Sequence, residues 1–280
     1  MTNLAPSFGI FLRSVGERTT ALAQEAAQAE LLTGQLHVIA NVTPAAQAFD
    51  AMFTKAQEQG YQWYLALDGD VVLQSGWLPR LQQQISHLDP VTTYNFSLPV
   101  VDYFGGVMDK GIHVYNGAFT KQAQDILRTQ TWQTLKPEST IKRWLPSAQS
   151  IYLADEPPIG WHGFEQYYAD VYYRFFLQSV RSQAVSRRYA FLFKGVAQSS
   201  ADHDIARAGY QAGRQLHNRP WVRRLLGLQS HASDASLRHT IRVQLTKNGV
   251  AEKEALTITL EEFRQQYQRY VKTTETARSR

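Results

Sequence analysis

The first 120 residues alternate short apolar runs with longer segments in which apolar residues recur every three to four positions. The apolar runs predict β-strands at Phe8–Leu12, Leu36–Ala40 and Trp63–Leu67. Alanine-rich and glutamine-rich stretches between them predict helices at Thr20–Leu32 and Pro44–Gln59. This β-α-β-α-β order is typical of an α/β fold with a mostly parallel central sheet and helices on both of its faces.

The pattern continues beyond residue 77 with strands and helices of mixed length. Strands are predicted at Asn95–Val101, Ile112–Tyr115 and Ser150–Leu153. Glycines clustered between residues 105 and 117 predict a ribbon or flap there. The predicted helices are Leu78–His87, Phe119–Thr131, Glu138–Leu145 and Trp161–Val180.

The last hundred residues form a predicted extension that is mostly helical. Gly195–Ser233 is predicted to be helical, and Glu261–Val271 to be an amphipathic helix. Ile241–Leu245 and Ala255–Leu260 are predicted to pair as a β-hairpin across an Asn-Gly turn. We therefore expect a first domain over residues 1–180 and a helical extension, with this hairpin, over residues 181–280.

Charge is distributed unevenly along the chain. The formal net charge is +5, yet residues 1–120 hold 5 Lys and Arg against 10 Asp and Glu. Between Arg174 and Arg224, ten basic side chains face only Asp202 and Asp204. This basic block is expected to attract anions such as a membrane surface or a phosphorylated acceptor, although a solvated helix face is an alternative.

Composition excludes several classes of protein. The chain of 280 residues has no cysteine, which removes disulfides, thiolate zinc sites and cysteine nucleophiles. No apolar stretch reaches the roughly 18 residues that span a bilayer, and the first residues lack the pattern of a secretory signal. We therefore expect a cytoplasmic protein, or one that also lies peripherally at the inner membrane face.

Two aspartates follow the third predicted strand, in the sequence LALDGDVVL. Asp68 and Asp70 flank Gly69, whose missing side chain lets backbone and ligand approach closely. Carboxylates suit magnesium or manganese, with coordination positions left for water and phosphate oxygens. An ordinary Asp-Gly turn is the alternative. The position at the carboxyl end of a strand, where open α/β sheets bind ligands, favours a cation site.

The acidic pair, the ribbon after it and the later segment IGWHGFEQYYADVYYRFF resemble the GT-A class of nucleotide-sugar glycosyltransferases, in particular its bacterial, family 2-like members. The resemblance covers roughly residues 6–180 and implies the Rossmann-like GT-A fold. In that class the DxD motif holds the cation that bridges the donor diphosphate, which implies this role for Asp68 and Asp70. His162 is similar to the third metal or diphosphate contact of many members, although a purely structural histidine is the alternative.

The resemblance also implies donor and acceptor contacts. The first strand and its turn look like the nucleotide-accepting region, and the exit of the second strand, IANVTPAAQAF, is similar to the next nucleoside-facing loop. Glu17 and Arg18 could equally be ordinary residues of a first helical turn. The implied donor contacts are Arg13, Glu17, Arg18, Asn41, Asp68 and Gly69, and the implied acceptor contacts are Asn116, Gly117 and Trp161.

Two carboxylates are candidates for the general base. Inverting members of the class use a carboxylate near a helix start after the ribbon, and Glu138 in LKPESTIKRWL has a comparable place. Asp102, which leaves the strand NFSLPVVD, is the second candidate. Glu138 could instead be a helix-start residue favoured by the macrodipole.

The implied activity is metal-dependent transfer of a sugar from a nucleotide-diphosphate donor to a hydroxyl acceptor, of the hexosyltransferase type, in polysaccharide or glycan biosynthesis. The cofactor would be manganese or magnesium. The partners would be the donor, a glycan or lipid-linked acceptor, an anionic membrane through Arg174–Arg224 and a second copy of the chain, whereas nucleic acid is not expected.

Two alternatives stay open. A sugar-phosphate nucleotidyltransferase shares the α/β architecture, but it normally carries a glycine-rich loop where this chain has RSVGERT with one glycine. A non-enzymatic basic module that binds nucleic acid or membrane is the other alternative.

Overall fold

A computed structural model describes residues 7–130, 137–145, 149–181, 200–217 and 234–268. The chain divides into two compact units. The first holds the described residues up to Phe164 and those from Thr257 onward, and the second is Glu165–Leu256. The unit boundary thus lies at Phe164, whereas the predicted domain boundary lies at residue 180.

The first unit contains all the strands of the described chain. They are β1 (Phe8–Ser14), β2 (Leu36–Ala40), β3 (Trp63–Asp68), β4 (Val71–Leu73), β5 (Thr93–Asp102), β6 (Gly106–Asn116), β7 (Gln149–Tyr152) and β8 (Gly160–His162). Its helices are α1 (Thr20–Gln28), α2 (Ala45–Gln59), α3 (Trp77–Ser86), α4 (Thr120–Gln130), α5 (Pro137–Trp144) and α9 (260–268). A 3-10 turn at Gly117–Phe119 precedes α4.

The strands form one mixed sheet in the order β2-β1-β3-β6-β5-β8-β4, with β7 also paired to β5. The predicted parallel arrangement is confirmed for β1, β2 and β3. It does not extend across the sheet, because β6 runs antiparallel to both β3 and β5, and β4 runs antiparallel to β8. A tight turn joins β5 to β6, and a strand that turns directly back must run antiparallel.

Helices cover both faces of the sheet, as predicted. On one face Phe8 of β1 meets Trp77 of α3, with ring centroids 6.3 Å apart. On the other face Phe11 of β1 belongs to a buried cluster with residues of α2, α4 and α5. The alternation of Phe8 and Phe11 across the sheet follows from the two-residue period of a strand. β1 is therefore buried on both of its faces apart from the partly exposed Arg13.

Two short strands were not predicted from the sequence. β4 and β8 have three residues each and pair with one another, with Val71 opposite His162 and Leu73 opposite Gly160. The predicted helix Trp161–Val180 is corrected accordingly, because Gly160–His162 is a strand and α6 begins at Tyr168. Three-residue strands carry too little alternation to be recognised from sequence.

The second unit is helical in its described part. It consists of α6 (Tyr168–Arg181), α7 (Ala201–His217) and α8 (Asp234–Lys247). Gly209 and Gly213 of α7 face the carbonyls of Tyr172 and Phe176 of α6, so closely that a Cβ at either glycine would clash with the backbone. The two helices therefore pack with their backbones in near contact.

The second unit also neutralises part of its own basic charge. Asp202 and Asp204 lie in the first turn of α7, where the helix dipole favours carboxylates, and Lys253 forms an ion pair with Asp202 at 2.5 Å. Six of the basic residues counted between Arg174 and Arg224 (Arg187, Arg188, Lys194, Arg219, Arg223 and Arg224) lie outside the described residues. Among the described helices of the chain, none is long and apolar enough to cross a bilayer.

The predicted hairpin from Ile241 to Leu260 is wrong. Ile241 and Leu245 lie in helix α8 and pack on a cluster with Ala169 and Tyr173 of α6, whereas Val243 between them is 40% exposed. A strand would place residues 241, 243 and 245 on one face. The four-residue spacing of the buried pair is instead that of a helix.

Replacement of Ile241 distinguishes the helix from the hairpin. Ile241→Ala removes a buried side chain and is expected to lower the free energy of unfolding by about 2–4 kcal/mol. Val243→Ala is the matched control and should change it by less than about 0.5 kcal/mol, because that side chain is exposed. Urea unfolding followed by circular dichroism measures both, and equal losses for the two variants would favour the strand.

Candidate functional site

The carboxyl ends of β1, β2 and β3 place five predicted site residues along one edge of the sheet. Arg13 lies opposite Asp68 in the β1–β3 register. Asn41 directly follows β2, where its backbone N–H donates to the Ser14 carbonyl at 2.7 Å. Glu17 and Arg18 lie in the turn between β1 and α1. Parallel strands bring their carboxyl ends to the same edge, and this is why distant segments meet here.

Arg13 and Asp68 form an ion pair at the centre of this edge. Arg13 Nη2 donates to Asp68 Oδ1 at 2.7 Å, and the guanidinium lies 4.1 Å above the Phe49 ring centre. The side chain of Asp68 is 54% exposed, whereas that of Arg13 is 13% exposed. Arg13 is therefore a fixed cation that orients an accessible carboxylate.

The pKa values of this pair reflect the crowding of charge. Burial acts to lower the pKa of Arg13, but the carboxylates of Asp68 and Glu138 outweigh it and raise the pKa. Loss of hydration among the surrounding protein atoms raises the pKa of Asp68, and the positive charge of Arg13 acts to lower it. The carboxylates of Asp70, Glu138 and Glu17 raise the Asp68 pKa further. Asp68 therefore lies in a surplus of negative charge that a bound cation would relieve.

Glu17 closes the turn between β1 and α1 with its own carboxylate. Its Oε2 accepts hydrogen bonds from the Ser14 hydroxyl at 2.7 Å and from the Val15 N–H at 2.9 Å. The Thr20 hydroxyl lies 2.8 Å from that of Ser14 and completes the cluster. The Ser14 hydroxyl and the Val15 N–H thus donate to the Glu17 carboxylate of the same turn.

Gly69 joins the acidic pair to this turn. Its N–H donates to the Arg13 carbonyl at 2.9 Å, and its carbonyl accepts from the Thr19 hydroxyl at 3.0 Å. A Cβ on Gly69 would lie 2.6 Å from Glu17 Oε2 and 2.8 Å from Thr20 Oγ1. Glycine is therefore favoured at position 69 because a side chain there would overlap Glu17 and Thr20 of the protein itself. Sequence reasoning missed the threonines, which have no pattern of their own.

His162 contacts two of the aspartates. Its Nε2 lies 3.3 Å from Asp70 Oδ2, and its Nδ1 lies 2.7 Å from Asp102 Oδ2. Strand β8 produces this arrangement, because His162 is opposite Val71 of β4 on one side and Asp102 of β5 on the other. The structure therefore brings His162 to Asp70 of the acidic pair, whereas its predicted role as a metal or diphosphate contact stays a prediction.

Asp102 is buried at the end of β5, with its side chain 1% exposed. Its Oδ1 accepts from the N–H groups of Phe104 at 3.1 Å and Gly105 at 2.7 Å, within the turn to β6. Both oxygens of Asp102 thus have partners inside the protein. Asp102 was one of the two predicted candidates for the general base. A general base must reach the acceptor hydroxyl, and a buried carboxylate whose two oxygens are bonded does not suit that role.

Glu138 lies in the first turn of α5 and is only partly buried. Among the described residues its carboxylate has no hydrogen bond or ion pair, although its charge acts on Arg13 and Asp68. Its carboxylate can therefore meet a ligand beside the acidic pair.

The donor set suits a divalent cation that a ligand helps to hold. Asp70 offers a carboxylate, which suits magnesium and manganese, and His162 offers an imidazole nitrogen, which suits manganese better than magnesium; the second nitrogen of His162 is held by a carboxylate. In the part of the chain that the structure describes, no group of three or more such side chains is arranged to hold a metal. The remaining coordination positions would fall to ligand oxygens and water.

The structure does not bring the predicted acceptor contacts to this edge. Asn116 pairs with Trp63 at the start of β3, the opposite end of that strand from Asp68. The Asn116 amide is 1% exposed and donates to the carbonyls of Pro90 and Thr93. A Cβ on Gly117 would clash with the Tyr61 carbonyl. Because β6 runs antiparallel to β3, its last residue Asn116 lies beside the start of β3. Asn116 and Gly117 therefore belong to the turn before α4.

Trp161 is likewise a core residue. It is 4% exposed, its Nε1 donates to the Tyr267 carbonyl at 3.3 Å, and its ring meets that of Phe263 edge-on. Successive residues of a strand point to opposite faces, so His162 faces the site and Trp161 does not. The aromatic ring is therefore not available to stack on a sugar.

No protein-family model matches this sequence, and neither does any curated protein. Two solved structures resemble the fold, each at 12% sequence identity. One is a glycosyltransferase involved in the glycosylation of the major capsid of PBCV-1, with 66% of this chain and 98% of that chain covered and a TM-score of 0.37. The other is residues 1–349 of TarS from S. aureus, with 87% and 92% covered and a TM-score of 0.41.

A substitution at Gly69 tests the contact between the acidic pair and the β1–α1 turn. Gly69→Ala is expected to lower the free energy of unfolding by about 1–3 kcal/mol, because the new methyl group overlaps Glu17 and Thr20. In a Glu17→Ala background the same change should cost less, with a coupling energy of about 0.5–3 kcal/mol. A double-mutant cycle by urea unfolding measures this, and strict additivity would contradict the contact.

Proposed function

We propose that this protein is a metal-dependent glycosyltransferase of the GT-A class, which moves a sugar from a nucleotide-diphosphate donor to a hydroxyl of a glycan or lipid-linked acceptor. The observation that carries the proposal is the approach of His162 to Asp70, beside the Arg13–Asp68 ion pair, at the edge where strands β1, β2 and β3 end. A site of this composition suits a cation together with a diphosphate.

Asp70 and His162 would hold the cation, which is manganese or magnesium. When bound, it would stabilise the negative charge that develops on the leaving diphosphate. Asp68 would hold the donor through its exposed carboxylate, which accepts hydrogen bonds from sugar hydroxyl groups. Arg13 favours the ionised form of that carboxylate and orients it, since the two are joined at 2.7 Å.

Glu138 is the group that we assign as general base. It would accept the proton of the acceptor hydroxyl while the acceptor oxygen bonds to the anomeric carbon and the bond from that carbon to the diphosphate breaks. Two observations support the assignment: Glu138 is partly exposed, and its negative charge raises the pKa values of Arg13 and Asp68. Asp102 is less suited, because it is buried and both its oxygens are bonded.

The β1–α1 turn counts against a nucleotidyltransferase. A phosphate-binding turn offers unpaired N–H groups to an anion. Here the Val15 N–H and the Ser14 hydroxyl already bind Glu17, and a phosphate next to that carboxylate would be repelled. The donor diphosphate is therefore assigned to the side of Asp70 and His162.

Donor binding should depend on Asp70. We expect nucleotide sugars of one base to raise the melting temperature of the native protein with Mn²⁺, since a ligand at 100 times its Kd stabilises by about 2.7 kcal/mol. Asp70→Asn should lose this effect because it removes a charged ligand of the cation. A thermal-shift panel of UDP-, GDP- and dTDP-sugars, with Mn²⁺ and with EDTA, provides the measurement.

Asp125→Asn is the control for this experiment, because it makes the same chemical change on the exposed surface of α4. It should retain the full shift. Unchanged donor binding and sugar transfer by Asp70→Asn would remove the cation from the mechanism.

Replacement of Glu138 separates chemistry from binding. Glu138→Gln should lower kcat by about 10²–10⁴-fold, the usual contribution of a general base, and leave the donor thermal shift unchanged. Ser139→Ala, at the exposed neighbouring position of α5, should keep native kcat. Release of the nucleoside diphosphate in the presence of acceptor measures the rate, and native turnover by Glu138→Gln would exclude it as the base.

A further inference from the structure

We propose that Asp102 is a positioning residue that selects the tautomer of the His162 ring, so that Nε2 presents its lone pair beside Asp70. The inference rests on the cation site of the proposed function and adds a residue that touches neither donor nor acceptor. The inference depends on which ring nitrogen of His162 carries the proton.

The Asp102 carboxylate is held as an acceptor in one orientation. The N–H groups of Phe104 and Gly105 donate to its Oδ1, which leaves Oδ2 directed at His162 Nδ1 at 2.7 Å. A Cβ at Gly105 would lie 3.0 Å from Oδ1, so the turn closes tightly on the carboxylate. With its side chain 1% exposed, Asp102 cannot exchange these partners for water without breaking the turn.

An ionised carboxylate can only accept hydrogen bonds, and therefore Nδ1 of His162 carries a proton. In the neutral ring the lone pair then belongs to Nε2. That nitrogen lies 3.3 Å from Asp70 Oδ2, and without a cation it can take up a second proton and donate to that carboxylate, so the tautomer is defined for the neutral ring. A metal-binding imidazole is commonly held in this way by a carboxylate on its other nitrogen.

Backbone contacts fix the position of the ring but not its tautomer. The His162 carbonyl accepts from the Tyr103 N–H at 3.0 Å, and the Gly163 N–H donates to the Asp70 carbonyl at 3.0 Å. These bonds hold β8 between β5 and β4 whichever ring nitrogen is protonated. The contact with Asp102 acts on a ring nitrogen directly, and it therefore bears on the tautomer.

The rival role of Asp102 is to stabilise the β5–β6 turn alone. Asp102→Asn separates the two roles, because the amide oxygen can still accept from Phe104 and Gly105. The amide nitrogen would then donate to His162 Nδ1, which forces the proton onto Nε2. A residue that serves only the turn would lose little by this change.

The first measurement uses the native protein without metal. Long-range ¹H–¹⁵N NMR of the histidine rings distinguishes the tautomers, and the His162 signals are identified by their loss in His162→Gln. The spectra are recorded over a pH series that extends to the neutral form of the ring, where we expect the proton on Nδ1 in the native protein and on Nε2 in Asp102→Asn. A native ring protonated on Nε2 alone would overturn the inference.

The second measurement is the affinity for Mn²⁺ alone, by electron paramagnetic resonance of the free ion. Asp102→Asn should bind about 10–100-fold more weakly than the native protein, the usual effect of losing such a partner. Asp89→Asn is the matched control, because Asp89 also accepts a turn N–H, from Val91 at 2.9 Å, but lies before the other end of β5. Native affinity in Asp102→Asn would contradict a positioning role.

The two measurements separate failure of this inference from failure of the proposed function. A native protein that binds no Mn²⁺ would overturn the cation site itself. In that sample the native tautomer still decides the role of Asp102, with Nδ1–H in its favour and Nε2–H against it. A lower melting temperature of Asp102→Asn with a native tautomer would assign Asp102 to the turn alone.

Discussion

The pairing of two three-residue strands is the constraint on which the candidate site depends. β8 lies between β4 and β5, and this position brings His162 to Asp70 on one side and to Asp102 on the other. The approach is close because position 160 is glycine, where a Cβ would lie 2.8 Å from the Val72 carbonyl. Without this pairing the acidic pair would have no imidazole neighbour.

The site is organised around an excess of negative charge. Glu17 and Asp102 are bound by backbone N–H groups of their own turns, and Asp68 is joined to Arg13. Asp70 is the carboxylate that lies beside an imidazole nitrogen. Three of these carboxylates thus build the site, and the fourth is the one that the proposed function assigns to a cation. This division of roles explains why one edge of a sheet tolerates so many acids.

A layer of aromatic side chains supports the basic side of the site. Arg13 lies over the Phe49 ring, and Phe49 meets Tyr115 edge-on at 6.4 Å. Tyr115 stacks on Tyr64 with ring centroids 5.7 Å apart, within a core where both are fully buried. Arg13 is therefore held between the Phe49 ring and Asp68, and it orients the Asp68 carboxylate.

Local patterns determined those parts of this protein that depend on neighbours in sequence. Strands β1, β2 and β3 and the helices between them follow from apolar periodicity, and parallel pairing then places Asp68 and Asp70 at or just beyond the carboxyl end of β3. Ile241–Leu245 was misassigned because its alternation fits a strand as well as a helix. Only contact with α6 favours the helix.

Tertiary structure alone decided the rest. His162 meets Asp102 through the register of β8 against β5, across 60 residues, and three residues of strand carry no signal of that register. The direction of β6 moved Asn116 to the far end of β3. Sequence periodicity reports which face of an element is buried, but the partner and direction of a strand depend on backbone hydrogen bonds between distant segments. Asp68, Asp70, His162 and Asp102 were therefore each singled out from the sequence, whereas the contacts of His162 with Asp70 and Asp102 were not.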